Sequence, residues 1–169
     1  FFGWYMVSSG LVNRVDVSQY RLSIHLVTAF IILSIVFWNF LKLTKLQINK
    51  ISIKLYSIKF FLFLLYLQLI MGAFVSGMDA GTVYNTWPLM GSSYFPDDSK
   101  FIEFLDITVF DNPSIVQFIH RNLAYLIVLV YSYLLIFVFN YPNKIFRKPI
   151  LIIGISLFLQ VILGVLTIL

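Results

Sequence analysis

The chain has no cysteine, so its 169 residues hold no disulfide, no thiolate metal site and no catalytic thiol. Charge is scarce as well. Charged residues are 11% of the sequence, where an average soluble chain has about 25%. Hydrophobic residues are 60% and the mean hydropathy is +0.94. A soluble domain of this size has too little interior to hide that much apolar surface. A disordered chain is poor in apolar residues, not rich in them. Lipid is the solvent that fits. An initial Met is also missing. The sequence opens on a short apolar stretch, Phe1–Val7, and stops at Leu169 inside another apolar run. It is therefore expected to be a piece of a longer membrane protein, cut inside a helix at each end. A basic n-region and a small-residue cleavage site are absent from its start, so no cleavable signal peptide is expected.

Lys, Arg, Asp and Glu are absent from four long apolar segments: Leu22–Leu41, Phe60–Met78, Asn122–Tyr141 and Pro149–Leu169. Each comes close to the roughly 20 residues that cross a bilayer as a helix. The third extends upstream to Pro113 if Arg121 sits at the membrane edge. The first dozen residues read as the tail of a fifth helix. The expected fold is all-α, an integral membrane helical bundle.

The charges that remain are sorted by loop. Lys42, Lys45, Lys50, Lys54 and Lys59 fall in one connection, and Lys144, Arg147 and Lys148 in another, with no acid in either. All seven acids (Asp16, Asp79, Asp97, Asp98, Glu103, Asp106 and Asp111) lie on the other side with Arg14, Arg21, Lys100 and Arg121. The positive-inside rule then places loops 42–59 and 142–149 in the cytoplasm or matrix, and loops 13–20 and 79–112 opposite. The net charge of +5 is a topology signal and a contact with anionic lipid, not a nucleic-acid footprint. Within 42–59, Ile48, Ile51, Leu55 and Ile58 recur at helical spacing between lysines. That pattern fits a helix along the membrane surface, and equally a solvated basic loop running into a longer helix.

Only two histidines exist, His25 and His120, and both fall inside apolar spans. Ionisable residues there are expensive and usually functional. Ser18 is the expected N-cap of the first full span, and Asn112-Pro113 the N-cap and N1 pair of the third. Each histidine follows its helix start by seven residues, about 10 Å along the axis, so both lie in one layer near the outer face. An imidazole on a helix is a standard axial ligand of haem iron. Arg21, four residues before His25, and Arg121, next to His120, could each pair with a carboxylate at the cofactor's polar edge. The plainer reading has histidines hydrogen-bonded to neighbouring helices and arginines anchoring helix ends. A zinc site is disfavoured, because neither histidine has another histidine or a carboxylate three or four residues away.

The second span ends in a run of small and polar residues, Gly72, Ala73, Ser76, Gly77, Ala80 and Gly81, which suits close helix or cofactor approach and, as readily, ordinary helix packing. The segment from Gly81 to Gly91 mixes aromatics with Gly, Asn and Pro, as an ordered loop on the membrane face would, with Tyr84 and Trp87 at the interface. Phe101–Phe110 could form a short interfacial helix in this long connection. The sequence holds no nucleotide loop, no Ser/His/Asp set and no paired carboxylates within the spans. Any catalytic base must come from elsewhere in the protein.

Several of these stretches together resemble the haem A synthase family. They are Gly3-Trp4-Tyr5-Met6-Val7-Ser8-Ser9-Gly10-Leu11, Val17-Ser18-Gln19-Tyr20-Arg21-Leu22 with His25-Leu26, and Gly72-Ala73-Phe74-Val75-Ser76-Gly77-Met78-Asp79-Ala80-Gly81. Tyr84-Asn85-Thr86-Trp87-Pro88-Leu89-Met90-Gly91, Val116-Gln117-Phe118-Ile119-His120-Arg121 and, more weakly, Leu163-Gly164-Val165-Leu166-Thr167 complete the set in the family's order. The resemblance implies eight membrane helices in two similar four-helix halves. Residues 1–59 would be the end of the N-terminal half, and 60–169 most of the C-terminal half, with helices 60–78, 113–141 and 149–169. It implies oxidation of a ring methyl of haem O, the substrate, to the formyl group of haem A. It further implies haem b as an iron cofactor, contact with membrane lipid, and haem O synthase and an electron donor as partners.

By resemblance His25 is the second histidine of the N-terminal half, at the substrate haem, and His120 the first of the C-terminal half, at the b haem. The partner histidines and the family's carboxylate would then lie outside these residues. Some members carry cysteine pairs in outer loops and others, like this chain, do not. The piece alone is expected to be inactive. A b-type electron-transfer cytochrome and a small transporter or assembly protein with structural histidines are the alternatives.

Overall fold

The computed structural model describes residues 1–8, 17–44, 55–142 and 144–169. It has five α-helices: α1 Phe2–Ser8, α2 Gln19–Leu43, α3 Leu55–Gly77, α4 Pro113–Asn140 and α5 Arg147–Leu166. Short 3₁₀ turns at Ala80–Thr82, Phe101–Leu105 and Ile107–Asp111 lie between α3 and α4, and another at Lys144–Phe146 precedes α5. No strand occurs among the described residues beyond one isolated bridge, Met90 to Ser93. Four helices, α2 to α5, are long and apolar enough to cross a membrane. The chain is an all-α integral membrane bundle.

All four expected spans are present, with their ends moved for local reasons. α2 takes in Gln19, Tyr20 and Arg21, and Ser18 holds the N-cap position without a side-chain capping bond. At α4 the expected cap is made: Asn112 Oδ1 accepts from the backbone N–H of Ser114 (3.0 Å) and Ile115 (3.3 Å), with Pro113 at the first helical position. α3 begins at Leu55, so a boundary at 59/60 falls inside its second turn. α5 begins at Arg147, ahead of Pro149, because a proline in the first turn removes an N–H that has no helical acceptor anyway. It ends at Leu166 instead of running to Leu169. The expected interfacial helix Phe101–Phe110 is instead two 3₁₀ turns parted by Asp106. That residue is extended, and its carboxylate accepts from the Thr108 N–H, a local bond that competes with helix continuation. Of the surface pattern expected in 42–59, residues 45–54 lie outside the described residues, and Ile58 is in α3.

The helices pack in chain order, α1 on α2, α2 on α3, α3 on α4 and α4 on α5. Phe61, Leu64, Ile127, Leu134, Val138 and Ile150 join α3, α4 and α5 in one buried cluster. Met71, Phe74 and Val116 form a second at the outer ends of α3 and α4. Between α2 and α3 the outer ends approach so closely that a Cβ on Gly77 would meet the Gln19 backbone at 2.9 Å, so only glycine fits there. Elsewhere many long apolar side chains point outwards, and every residue from Phe30 to Phe40 on α2 is exposed. In water that face would be a liability, but in a bilayer it meets tails as apolar as itself. Basic residues mark one end of the bundle. Lys42 lies over the Trp38 ring (5.5 Å), and Arg147 lies over Phe139 (5.3 Å) while donating to its carbonyl (2.8 Å).

Candidate functional site

The outer half of α4 is the post on which the site is built. Its cap fixes where the helix starts, and from there the register places Ser114, Gln117, Asn122 and Arg121 against the loop that leaves α3. Gln117, only 2% exposed, donates to the carbonyls of Gly81 (3.3 Å) and Tyr84 (3.0 Å). Arg121, one turn on, donates to the carbonyls of Tyr84 (2.9 Å), Thr86 (2.8 Å) and Leu89 (3.3 Å). Tyr94 donates to Asn122 Oδ1. A loop crossing the membrane edge leaves carbonyls without strand or helix partners, and these side chains satisfy them. Within the same loop Trp87-Pro88 is a cis peptide. Trp87 is exposed and Tyr84 half-buried, which places the Tyr84 ring under the loop and not on its surface.

Two carboxylates tie the loop to itself and to α4. Asp97 accepts from the backbone N–H (2.6 Å) and hydroxyl (3.0 Å) of Ser92, bonds that hold its carboxyl below its ordinary value. Asp98 accepts from Ser114 Oγ at 2.7 Å. Burial alone would raise the Asp98 carboxyl, but hydrogen bonds from Ser114, Tyr84 and Ser99 together outweigh it and lower it. At the far end of the loop, Asp111 accepts from Tyr20 Oη (2.8 Å) and Gln19 Nε2 (3.1 Å), which joins α2 to the start of α4.

His120 points from α4 towards α3. A Cβ built on Gly72 would touch His120 Cε1 at 3.6 Å, so the bare glycine is the ring's seat. Gln68 Nε2 lies 3.3 Å from His120 Nε2 and also donates to the His120 carbonyl at 3.3 Å. His120 Nδ1 is buried without a hydrogen-bond partner. His25 points from α2 towards α1, where a Cβ on Gly3 would touch its Cε1, again at 3.6 Å. No other described residue hydrogen-bonds its ring. Arg21 is stacked on the Tyr5 ring (4.4 Å) and makes one long bond to the Tyr5 carbonyl (3.4 Å). The two histidines thus sit on different helices and different seats, and each arginine is tied to the element that its own histidine's helix supports.

The haem expected from the sequence asks a protein for one imidazole nitrogen with a free lone pair, apolar surroundings, and room beside the ring. His120 fits on the last two: its ring is clear of any carboxylate, and it rests in a cradle that a side chain on residue 72 would narrow, while its Nε2 faces the Gln68 amide. His25 shares the cradle, against Gly3. Among the described residues no three His, Cys, Asp or Glu converge, so each histidine offers its site one donor.

Gln68 and Gln117 were not singled out in the sequence. Both carried a signal that went unused: a side-chain amide inside a span must find a partner, because lipid offers none. Gln68 also stands four residues before Gly72, on the same helix face.

Comparison with known proteins gives the family. The family described as cytochrome oxidase assembly protein matches residues 1–169. A protein named heme A synthase from Pelagibacter ubique (strain HTCC1062) is 41% identical over 168 residues, 99% of this chain and 49% of its own length. Heme A synthases of Wolbachia pipientis wMel (42% identical, 100% of this chain, 48% of theirs) and Rickettsia bellii strain RML369-C (37%, 100% and 52%) are similar too. The chain spans about half the length of the curated relatives it matches. No solved structure matches it.

Proposed function

The chain belongs to the cytochrome oxidase assembly protein family, and from that membership we propose that it is the middle of a haem A synthase, an oxidoreductase that converts the ring methyl of haem O to the formyl group of haem A. Residues 1–59 close one four-helix half and 60–169 supply most of the other. His120 is the ligand this chain gives to a resident b haem, and His25 the ligand it gives to the substrate haem O. When bound, haem b supplies a one-electron centre. The chain's own part is to present imidazole nitrogens at a fixed depth, to exclude water with the 84–91 loop, and to offer cations at the polar rim. Arg21 and Arg121 stand at that rim for the propionates. Because Arg121 already donates to three loop carbonyls, it would couple the loop to a haem edge.

The catalytic carboxylate and the partner histidines come from outside these residues, and haem O synthase and an electron donor are the partners. Loops 42–59 and 142–149 face the cytoplasm of a bacterium or the matrix of a mitochondrion.

One observation carries this reading: His120, inside a family match that covers the whole chain, lies in the outer part of a membrane-spanning helix with its ring edge on a bare glycine of the neighbouring helix. The test is to express the full-length protein in a host that makes haem O but no haem A, and to extract the membrane haems. Haem A appears with the wild-type protein and not with His25→Ala. If b haem alone is recovered with the protein and haem O stays unconverted, the protein is an electron-transfer cytochrome instead.

A further inference from the structure

α4 is longer than a bilayer core needs. Its 28 residues rise about 42 Å, against a hydrocarbon core of about 30 Å. The uncharged stretch 122–140 fills that core. The turns before it, 113–121, therefore stand in the headgroup layer on the side where α3 ends. The long loop folds down against these turns. The ring of Phe95 meets Phe118 at 5.2 Å, and that of Phe104 meets it at 6.1 Å. Tyr94 packs on the same Phe118 (5.6 Å) and donates to Asn122. Residues 94–104 thus lie beside α4 at headgroup level, not above it in water.

Pinned at that level, the two 3₁₀ turns that follow show the reverse of a water-facing loop. Phe101, Ile102, Leu105 and Ile107 are between 66% and 95% exposed. The acids among them turn to local donors instead. Glu103, half-buried, accepts from the Lys100 N–H (3.0 Å) and from Asn112 Nδ2 (3.0 Å), and Asp106 accepts from the Thr108 N–H (3.0 Å). Main-chain bonds from Glu103 to Lys100 (2.9 Å), Asp106 to Glu103 (3.1 Å) and Val109 to Asp106 (3.3 Å) close the turns. A backbone satisfied in this way tolerates a layer poor in water. Lys100, the one cation between Asp97 and Asn112, is exposed at the start of the segment.

We propose that residues 101–107 are a membrane anchor, with Phe101, Ile102, Leu105 and Ile107 set into the leaflet at the outer ends of α3 and α4. The partner is the lipid surface itself. Apolar side chains on such a segment sink about 5–10 Å, to the boundary of headgroups and acyl chains, and Lys100 is the cation it offers to lipid phosphate. Through the bond of Glu103 to Asn112, the anchor is tied to the cap that starts α4. This role holds whatever the two histidines bind.

The test places one new tryptophan in the patch of the full-length protein, as Leu105→Trp or Ile107→Trp, with Phe101→Trp as the exchange nearest in shape. Each variant is purified with a wild-type gel-filtration profile and placed in nanodiscs of phosphatidylcholine and phosphatidylglycerol. Leu105 and Ile107 are open enough to take an indole without moving a neighbour. Emission is read as the difference from wild type, which removes the three native tryptophans of these residues. One quencher is a phosphatidylcholine brominated near the carboxyl ends of its acyl chains, which reaches rings set into lipid. The other is acrylamide in the water. The bromolipid is expected to remove most of the added emission, and acrylamide little of it. If acrylamide takes the larger share, the segment stands in water. If neither quencher removes the emission, another part of the protein or a second copy covers the patch. Either result would overturn the inference.

Discussion

His25 and His120 each lay an imidazole edge on a glycine of the helix before, at the same 3.6 Å, yet among the described residues only the His120 ring has a hydrogen-bond partner. At His120 a buried amide reaches Nε2, the neighbouring arginine clasps three carbonyls, and a loop closes over the helix end. At His25 no other described residue hydrogen-bonds the ring, and Arg21 has one long bond and a ring to lie on. The seat is common to both, and the clamp is not. The Gln68 bond to the His120 carbonyl and the Arg121 clasp fix the helix turn that carries the ring ahead of binding, which lowers the ordering cost of holding a group permanently. A ring that is seated but free suits a group that must enter and leave. The difference matches the division proposed here between a resident b haem at His120 and a substrate haem at His25.

Widening the two glycines breaks the contrast most strongly. An added methyl at 3.6 Å is an ordinary contact, so Gly3→Ala and Gly72→Ala are expected to be tolerated. Gly72→Val pushes a ring that is pinned on its other side, and overpacking of that kind costs about 1–3 kcal/mol. Most of the b haem of the full-length protein should be lost, as read by haem extraction. In Gly3→Val the unclamped His25 ring can turn aside, so b haem stays and only haem O conversion falls. Equal haem loss in the two valine variants would erase the distinction between the sites.

The arginines come next. Hydrogen bonds to charged groups are worth about 1.5–3 kcal/mol each where solvent is excluded, and Arg121, partly buried, makes three of them. Arg121→Ala is expected to free the 84–89 segment to added protease under conditions where wild type resists. Arg21→Ala removes a stacking contact worth about 0.5–1 kcal/mol and should leave the protease pattern of that loop unchanged.

Acid gives the smallest effect. Asp97 and Asp98 have folded values below their ordinary ones. Their stabilisation is therefore complete above the unfolded carboxylate value, about pH 4, and is lost as pH falls through the folded values. Protease resistance of the outer loop should be flat from neutral pH down to about pH 4 and decline below it. A decline centred near pH 6 would point to a histidine instead.

How much of this was legible in the sequence depends on what kind of signal each part leaves. The four spans were plain, because 20 uncharged residues have one reading in a bilayer. The α4 start was plain too, since Asn-Pro is a local cap with local bonds. The α2 start was harder: Ser18 stands at the right place and makes no side-chain bond, because the end of α2 is fixed instead by Asp111 and by the close approach at Gly77. Phe101–Phe110 had helical composition, and Asp106 broke it with a local bond of its own. The histidines stood out by rarity. Their glycine seats did not, because Gly3 and Gly72 lie on other helices and the pairing is tertiary. Gln68 and Gln117 leave a fainter mark, because an amide carries no formal charge, although inside a span it too must find a partner.

The central claim is that one chain gives a clamped ligand to a resident haem and a free ligand to a substrate haem. The haem content of the full-length protein purified from membranes containing both b haem and haem O tests it most directly, with His25→Ala and His120→Ala side by side. The expected result is b haem lost in His120→Ala and kept in His25→Ala, with bound haem O lost in His25→Ala. Loss of the same haem from both variants would mean that His25 and His120 serve one site, and would contradict the account.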